Sequence, residues 1–373
     1  MDIIFTNSNF VLVETFVLAF IITYISIPPL IEVAKAKNLY DVPNGRTSHE
    51  GITPTLGGIA IFSGFVITSM IFVNITKIPY VQYLLAGTLV IFFIGLKDDI
   101  VGLSPLKKFI GEIIAAGIII DLGGVRLSSL HGFAGIGALN YISSDFLSLF
   151  VIVAIVNAFN LIDGIDGLSS GVGVLTALAF GIWFFLIGEI QLALLTASLV
   201  GALLAFLRFN LFSKKHKIFM GDIGSLLVGF ILSIFAIKFN ELNHAAVALN
   251  SPYYIKAAPA VSIGILIIPI FDTVRVMLIR MARGLSPFKP DKRHVHHYLL
   301  ELTGSHRKAT TILLVVNVFF IVISFLLRSM RVLELMSILL VLASLLTFIP
   351  YMLLKNRRKK NIVSNNGFVA DAD

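Results

Sequence analysis

The sequence contains no cysteine and few charged residues. Because none of its 373 residues is a cysteine, disulfides, thiolate metal sites and cysteine nucleophiles are excluded. Charged residues make up 13% of the chain, about half of the ~25% found in soluble domains, so a water-facing surface could hardly be built from them. Hydrophobic residues reach 57%. This composition predicts a polytopic membrane protein whose main solvent is the bilayer.

Two further shortages narrow the interpretation. The first residues, Met1 to Phe5, include no basic side chain, so a cleaved signal peptide is not expected. Acidic residues are outnumbered, with 21 against 29 basic ones, a balance that membrane proteins commonly acquire for topological reasons. We therefore expect no nucleic-acid partner.

Apolar runs of about the 20 residues that cross a bilayer recur along the whole chain. They predict an all-α polytopic membrane protein with about eleven transmembrane helices, ten being the alternative count. The predicted spans are 10–31, 57–76, 80–96, 106–121, 146–161, 170–187, 190–208, 223–238, 257–279, 309–327 and 335–354. The outer segment between the fourth and fifth spans, 122–145, is predicted to be a small hairpin.

The basic residues predict the orientation. With the N-terminus outside, 23 of the 29 basic residues fall in cytoplasmic segments, as the positive-inside rule requires, and the C-terminus is cytoplasmic. Residues 1–355 are then predicted to form a single membrane-embedded catalytic domain. Residues 356–373 are predicted to form a cytoplasmic tail that is first basic and then disordered.

Six of the 21 acidic residues lie where predicted spans meet the cytoplasmic face. They are Asp98, Asp99, Asp163, Asp166, Asp222 and Asp272. A carboxylate at a helix centre costs about 2.5–3.5 kcal/mol in a membrane, and helix capping alone accounts poorly for six at one level. Adjacent carboxylates repel unless a cation holds them. The Asp98-Asp99 pair therefore indicates a divalent metal, another bound cation or a general base.

Polar residues recur at every third position in the segment 157–168. They are Asn157, Asn160, Asp163 and Asp166, with Gly164 and Gly167 directly after the two aspartates. Residues three apart are neighbours on a helix, and the glycines end the helix and let the backbone approach a ligand. Oxygen donors at a helix tip suit Mg²⁺ with a nucleotide beside it. A tight loop with ordinary Asn and Asp caps is the alternative.

A basic loop leads into Gly221-Asp222-Ile223-Gly224-Ser225 at the start of an apolar helix. A helix N-terminus with glycines favours a bound phosphate, whereas Asp222 fits a plain N-cap equally well. Phe219 precedes this motif and is a candidate either for stacking on a base or for packing.

The stretch from Pro269 to His297 combines an internal acid with many basic side chains. Asp272 lies three residues before Arg275, so it is either a ligand-binding group or half of a structural ion pair. The basic residues that follow are Arg280, Arg283, Lys289, Lys292 and Arg293, and then His294, His296 and His297. Three imidazoles could bind Zn²⁺, but the surrounding cations favour anionic phosphates. A solvated basic loop is the alternative.

Together these groups indicate phosphoryl transfer at a membrane surface. Oxygen ligands indicate Mg²⁺ or Mn²⁺, and the basic groups indicate phosphate. Their position at the level of the lipid headgroups indicates that one substrate is itself a lipid phosphate. Phosphoryl transfer needs mainly positioning and charge neutralisation, which these side chains supply.

The ordered set of motifs resembles the polyprenyl-phosphate N-acetylhexosamine-1-phosphate transferase family, whose superfamily includes phospho-N-acetylmuramoyl-pentapeptide transferase. The resemblance covers about residues 10–355. It rests on Asp41-x-Pro43-Asn44-x-Arg46-x-x-His49, Thr53-Pro54-x-x-Gly57-Gly58, Asp98-Asp99, Asn157-x-x-Asn160-x-x-Asp163-Gly-x-Asp166-Gly, Gly221-Asp222-x-Gly224-Ser225 and His294-x-His296-His297.

The resemblance implies a reaction in which an N-acetylhexosamine 1-phosphate, by default GlcNAc-1-phosphate, passes from its UDP-sugar to undecaprenyl phosphate with release of UMP. Such an enzyme would lie in the bacterial inner (cytoplasmic) membrane with its active site facing the cytoplasm. It would start a lipid-linked cell-envelope glycan, such as the lipopolysaccharide O-antigen. The resemblance also implies Mg²⁺, with Mn²⁺ as a substitute, and leaves a homodimer open.

The resemblance further implies a role for each matching residue. Asp222 and Asn160 would bind the metal. The catalytic carboxylates would be Asp98, Asp99, Asp163 and Asp166. The substrates would be held by Arg46, His49, Asn157, Gly164, Phe219, Asp272, Arg283, Arg293, His294, His296 and His297.

Two other functions are the alternatives. Phospho-N-acetylmuramoyl-pentapeptide transferases usually have one span fewer, an outside C-terminus and three consecutive histidines, whereas this chain has a basic cytoplasmic tail and His294-Val295-His296-His297. An ion-coupled secondary transporter also explains many spans and intramembrane aspartates. It predicts ionisable residues near the bilayer midplane and an internal repeat, and the sequence suggests neither.

Overall fold

A computed structural model of the chain describes residues 8–41, 53–133, 135–248, 252–286 and 293–370. Helices account for most of them. In chain order they are α1 Ser8–Ala36, α2 Gly57–Phe72, α3 Val81–Val101, α4 Pro105–Gly117, α5 Tyr141–Ile162, α6 Leu168–Leu186, α7 Ile190–Asn210, α8 Gly221–Ala248, α9 Ala258–Ile265, α10 Ile267–Met281, α11 Val295–Thr303, α12 His306–Leu326 and α13 Val332–Ala370. A turn of π-helix, Ile118–Leu122, extends α4.

Two short antiparallel hairpins complete the described secondary structure. Strand β1 (Tyr40–Asp41) pairs with β2 (Thr53–Pro54), and β3 (Ser129–Phe133) pairs with β4 (Ile136–Ala138). The second hairpin lies between α4 and α5, where a small hairpin was predicted from the sequence, and that prediction is confirmed.

The helices confirm an all-α polytopic membrane protein. Within the described ranges, seven helices are long and apolar enough to cross a membrane, and an eighth span is formed if α9 and α10, which meet at an angle of 85°, count as one. Each of the eleven predicted spans coincides with a helix or with the α9–α10 pair. The number that crosses the bilayer, the outside N-terminus and the boundary at residue 355 stay predictions.

Helix α8 lies at the centre of the bundle. Within its most apolar stretch 89% of the residues are buried, against 28% for α1 and 22% for α13. The apolar side chains of those outer helices remain exposed, as the bilayer permits but water does not. The N-terminus of α8, which carries Asp222, is therefore held from several sides.

Glycines let two neighbouring helices approach α8 closely. A Cβ atom on Gly58 of α2 would lie 2.2 Å from the backbone nitrogen of Gly224, and one on Gly95 of α3 would lie 2.5 Å from Cα of Ile223. No larger residue fits at either position without moving a helix, and small residues are the usual means of such contact in membranes. This packing brings the end of α3, with its two aspartates, against the start of α8.

Candidate active site

The acidic residues of three separate chain segments meet at the N-terminus of α8. Asp99, in the last turn of α3, accepts hydrogen bonds from the backbone N–H groups of Asp222 at 2.8 Å and Ile223 at 3.1 Å. A carboxylate at a helix N-terminus satisfies donors that have no partner within the helix. Asp99 therefore fixes the first turn of α8, and with it the side chain of Asp222.

Gly221 makes this contact sterically feasible. Its φ of +69° lies in the left-handed region that other residues rarely adopt. A Cβ atom at this position would lie 2.3 Å from the carbonyl oxygen of Thr55 and 2.5 Å from Oδ2 of Asp99. The glycine in the predicted Gly-Asp-x-Gly-Ser motif is thus required by the backbone geometry beside the acid pair.

A lysine ammonium group lies between the acids. Nζ of Lys108, in the first turn of α4, is 2.8 Å from Oδ1 of Asp222 and 3.2 Å from Oδ2 of Asp98. It also donates a hydrogen bond of 3.4 Å to Oδ1 of Asn160. One positive centre thus collects oxygen atoms from α3, α5 and α8.

Asn160 binds directly to Asp222. Its side-chain amide nitrogen donates to Oδ1 of Asp222 and to the hydroxyl of Ser225, the latter at 2.9 Å. The predicted metal-binding pair, Asn160 and Asp222, is therefore in contact, with the amide oxygen of Asn160 still turned to Lys108.

Asp163 follows the last residue of α5 and contributes a carboxylate without a hydrogen-bond donor among the described residues. Burial raises its pKa well above the usual range, and the nearby charges of Asp222, Asp99 and Asp166 raise it further. A carboxylate in such a setting either keeps its proton or binds a cation.

Asp166 holds the loop between α5 and α6. Its Oδ2 is 2.7 Å from Nζ of Lys217, and its backbone N–H donates to Nδ1 of His306 at 3.1 Å. Its carbonyl oxygen accepts a hydrogen bond of 2.7 Å from the hydroxyl of Thr310. These contacts tie the loop to the entry of α8 and to α12, so Asp166 has a clear anchoring role; its catalytic role stays a prediction.

Asn157 lies one helical turn before Asn160 and faces a buried acid. Its amide nitrogen donates to Oε2 of Glu112 and, at 2.9 Å, to the carbonyl oxygen of Val153. Glu112 is only 1% exposed. The predicted contact of Asn157 with substrate stays a prediction, since its amide nitrogen is used within the protein.

Asp272 of α10 anchors the histidine motif. It accepts hydrogen bonds from the backbone N–H of Val295 at 3.1 Å and from Nη2 of Arg275 at 2.8 Å, and Nδ1 of His294 lies 3.1 Å from its Oδ2. The 85° bend between α9 and α10 directs α10 to this position beside α11. Of the two alternatives from the sequence, the structure supports an ion pair between Asp272 and Arg275.

The histidines join this anchor to the glycine loop. His296 is 1% exposed, has no hydrogen-bond partner within the described part, and lies so close to Gly164 that a Cβ atom there would be 2.8 Å from its Nε2. Burial lowers the pKa of the His296 imidazole, so it is neutral at neutral pH. His297 lies next to it, with ring centroids 4.3 Å apart. Only a glycine at position 164 allows the loop to rest against these rings.

The remaining predicted substrate residues are placed as follows. Phe219 lies 5.1 Å from Nζ of Lys217, measured to its ring centroid. Arg293 accepts a 2.6 Å hydrogen bond from Arg275 through its carbonyl oxygen, and Arg283 is exposed beyond the end of α10. Arg46 and His49 lie outside the described residues.

Three residues of this region were not singled out in the sequence: Lys108, Glu112 and His306. Glu112 could have been recognised, because it is a charged residue inside the predicted span 106–121. Ionisable residues within membrane spans are rare and usually belong to functional sites. Lys108 and His306 lie at the starts of helices, where basic residues near a membrane surface are ordinary, so neither residue could be recognised from its position in the sequence.

The donor set at α8 fits a hard divalent cation. Asp98, Asn160 and Asp222 direct oxygen atoms at one positive centre, and Asp163 adds a carboxylate without a donor. Mg²⁺ and Mn²⁺ prefer such oxygen ligands. A second set, Asp272, His294 and His296, has ligand atoms within 4.8 Å of one another. It fits a metal less well, because the Asp272 carboxylate already accepts bonds from Arg275 and from a backbone N–H.

Comparison with known proteins identifies a family to which the chain is similar. The family described as "Glycosyl transferase family 4" matches residues 81–240. That region runs from α3 into α8, and so contains the acids around Lys108, whereas Asp272 and the histidine motif lie beyond it.

Named relatives match over most of their length. The decaprenyl-phosphate N-acetylglucosaminephosphotransferase of Mycobacterium tuberculosis is 37% identical over 325 residues, which cover 79% of this chain and 77% of the relative. The undecaprenyl-phosphate alpha-N-acetylglucosaminyl 1-phosphate transferase of Escherichia coli is 32% identical over 285 residues, covering 74% and 73%. The protein of that name from Yersinia pestis is 31% identical over 290 residues, covering 74% of each chain.

Proposed function

The chain belongs to glycosyl transferase family 4, and we propose that it transfers N-acetylglucosamine 1-phosphate from UDP-N-acetylglucosamine to undecaprenyl phosphate, releasing UMP. The observation that carries this proposal is the convergence of Asp98, Asn160 and Asp222 on a single cation position at the N-terminus of α8. The names of the relatives supply the two substrates.

The reaction exchanges one phosphoanhydride bond for another. An oxygen atom of the lipid phosphate attacks the β-phosphorus of the UDP-sugar and forms a new P–O bond. The bond between the β-phosphorus and the bridging oxygen breaks, and its electron pair leaves with UMP. Because substrates and products carry nearly the same total charge, the protein needs chiefly to align the two phosphates and to offset their repulsion.

The residues of the site divide this work. Asp222, Asn160 and Asp163 would hold the cation, with the carboxylate of Asp98 beside it, and Asp99 holds Asp222 in place through the first turn of α8. A bound Mg²⁺ or Mn²⁺ would neutralise charge on the diphosphate oxygens. Asp98 orients the lipid phosphate or takes its remaining proton. The glycine loop at 164–167 and the histidines behind it shape the nucleotide side of the site.

The acceptor reaches this site from the bilayer. The acids lie at ends of apolar helices, so a headgroup phosphate can meet them while its prenyl chain stays in the membrane. We propose the cytoplasmic face of the inner membrane as their location, on the distribution of the basic residues. Cell-envelope glycan synthesis, including the O-antigen pathway, follows as the biological role.

The experiment is a reconstitution with purified protein. The protein in detergent is incubated with undecaprenyl phosphate, Mg²⁺ and one of three donors: UDP-GlcNAc, UDP-GalNAc or UDP-N-acetylmuramoyl-pentapeptide. We expect UMP and lipid-linked sugar from UDP-GlcNAc, and neither product from the variant Asp222→Asn. Turnover of the muramoyl-pentapeptide alone would move the assignment to the peptidoglycan relative. No UMP from any donor would overturn the proposal.

A further inference from the structure

The ammonium group of Lys108 occupies the position at which a divalent cation would be held. It forms ion pairs with Asp98 and Asp222 at 3.2 and 2.8 Å and donates a hydrogen bond of 3.4 Å to the amide oxygen of Asn160. A divalent ion bound by the same oxygens would lie within a few ångströms of this positive charge. Two like charges so close repel strongly where water is scarce. The ammonium group of Lys108 must therefore move to another acceptor when the ion binds.

Glu112 provides an acceptor one helical turn further along α4. Its carboxyl group is buried, with the residue 1% exposed, and Oε2 accepts a hydrogen bond from Asn157. Oε1 has no hydrogen-bond partner within the described residues. A buried acceptor oxygen without a donor is costly and uncommon. Through Asn157, which lies one helical turn before Asn160 on α5, this carboxyl group is next to the acid cluster.

We propose that Lys108 and Glu112 form a cation-exchange pair, in which Lys108 holds the acids together before the metal binds and then pairs with Oε1 of Glu112. The inference rests on the metal-dependent transfer proposed above and adds a role for two residues of α4. Lys108 and Glu112 are four residues apart, and side chains with this spacing are neighbours on a helix. The flexible four-carbon stem of lysine permits the move without a change in the backbone.

The exchange keeps the charge of the site in balance. Before the metal binds, Lys108 offsets the repulsion between Asp98 and Asp222. Afterwards the divalent ion takes over that task, and the lysine charge is neutralised by Glu112 rather than left against the ion. Glu112 is thus a positioning residue: it acts on the metal through Lys108 and needs no contact with substrate.

The test measures Mn²⁺ binding alone, without either substrate. Free Mn²⁺ is followed by electron paramagnetic resonance during titration of the full-length protein in detergent, and Asp222→Asn reports Mn²⁺ that binds elsewhere. Glu112→Gln keeps an oxygen for Asn157 but removes the charge that receives Lys108. We expect it to weaken Mn²⁺ binding roughly tenfold, a size typical of two directly coupled charged groups. Lys108→Met, which leaves no cation to displace, should bind Mn²⁺ more tightly than the wild type.

The double variant separates an exchange pair from a merely structural role. If Glu112 acts only as the receiver of Lys108, adding Glu112→Gln to Lys108→Met should change Mn²⁺ affinity by less than about twofold. An equal loss of affinity in both backgrounds, or wild-type affinity in Glu112→Gln, would overturn the inference. Should Glu112→Gln not fold, unchanged or weaker binding by Lys108→Met would still overturn it.

The outcome is independent of the transfer assay. Normal UMP release together with unaltered Mn²⁺ affinity in Glu112→Gln would refute the exchange pair and leave the proposed reaction standing. Mn²⁺ binding with the expected non-additivity, but without UMP from any donor, would refute the reaction and keep the exchange pair as a property of the ion site.

Discussion

Replacing Asp99 by asparagine is expected to weaken the N-terminus of α8. The Asp99 carboxylate accepts backbone hydrogen bonds of 2.8 and 3.1 Å from Asp222 and Ile223. A hydrogen bond to a charged group contributes about 1.5–3 kcal/mol, and asparagine offers only one oxygen and no charge. At least one of the two bonds is lost, so Asp99→Asn should lower the free energy of unfolding by about 2 kcal/mol.

Asp98→Asn is the matched control. Asp98 accepts a single backbone hydrogen bond, 2.7 Å from Leu103, which an asparagine oxygen can replace. The loss of its charge removes the 3.2 Å ion pair with Lys108 but also relieves repulsion with Asp222. Because these two effects oppose each other, the free energy of unfolding should change by less than about 1 kcal/mol. Thermal unfolding of the purified proteins in detergent should therefore give a lower melting temperature for Asp99→Asn than for Asp98→Asn. Equal melting temperatures, or the reverse order, would refute the role assigned to Asp99.

Two further predictions concern the nucleotide side and the proton balance of the site. Asp272→Asn leaves the charge of Arg275 without its partner, and breaking a buried ion pair in this way typically costs about 3–5 kcal/mol. The variant should therefore have a lower melting temperature and a higher KM for the UDP-sugar. Unchanged values of both would contradict the role of Asp272 in anchoring the histidine motif. The raised pKa of Asp163 means that its proton must leave before it can bind a cation. Mn²⁺ affinity should therefore increase from mildly acidic to mildly alkaline pH, and the slope should flatten in Asp163→Asn; an identical slope in the variant would exclude Asp163 from the ion site.

The gathering of the acids could be predicted because it depends on local patterns. Each of Asp98, Asp163 and Asp222 stands at one end of an apolar run, and a bilayer places such ends at one of two levels. The charge distribution then selects the same level for all of them. The pairing of Asn160 with Asp222 was implied only by the family resemblance, and the structure brings the two side chains into contact.

The separate roles of the acids could not be predicted, because they depend on how closely neighbouring helices approach one another. Asp99 reaches the backbone of α8 only because Gly95 and Gly221 leave no side chain in the way. From the sequence alone, Asp99 would fit the role of a catalytic base equally well. Lys108 pairs with acids on two other helices, and a pairing of this kind leaves no periodic trace in the sequence.

The bend between α9 and α10 was missed for a different reason. The segment 257–279 reads as one continuous apolar span, yet it breaks at Leu266 with an angle of 85°. Pro259 and Pro269 fall in the first turns of α9 and α10, where proline is tolerated because the amide it lacks would have no partner. Two prolines at this spacing are thus compatible with two helix starts as well as with one kinked helix.

The destination of the β-phosphorus distinguishes transfer of the sugar 1-phosphate from transfer of the sugar alone. UDP-GlcNAc labelled with radioactive phosphorus at the β position is incubated with the protein, Mg²⁺ and undecaprenyl phosphate. If the site transfers the sugar 1-phosphate, the label moves into the lipid fraction and the nucleotide released is unlabelled UMP. Labelled UDP as the released product would show transfer of the sugar without its phosphate and would rule out the proposed reaction. Lipid labelling that Asp222→Asn leaves unchanged would exclude Asp222 from the reaction site.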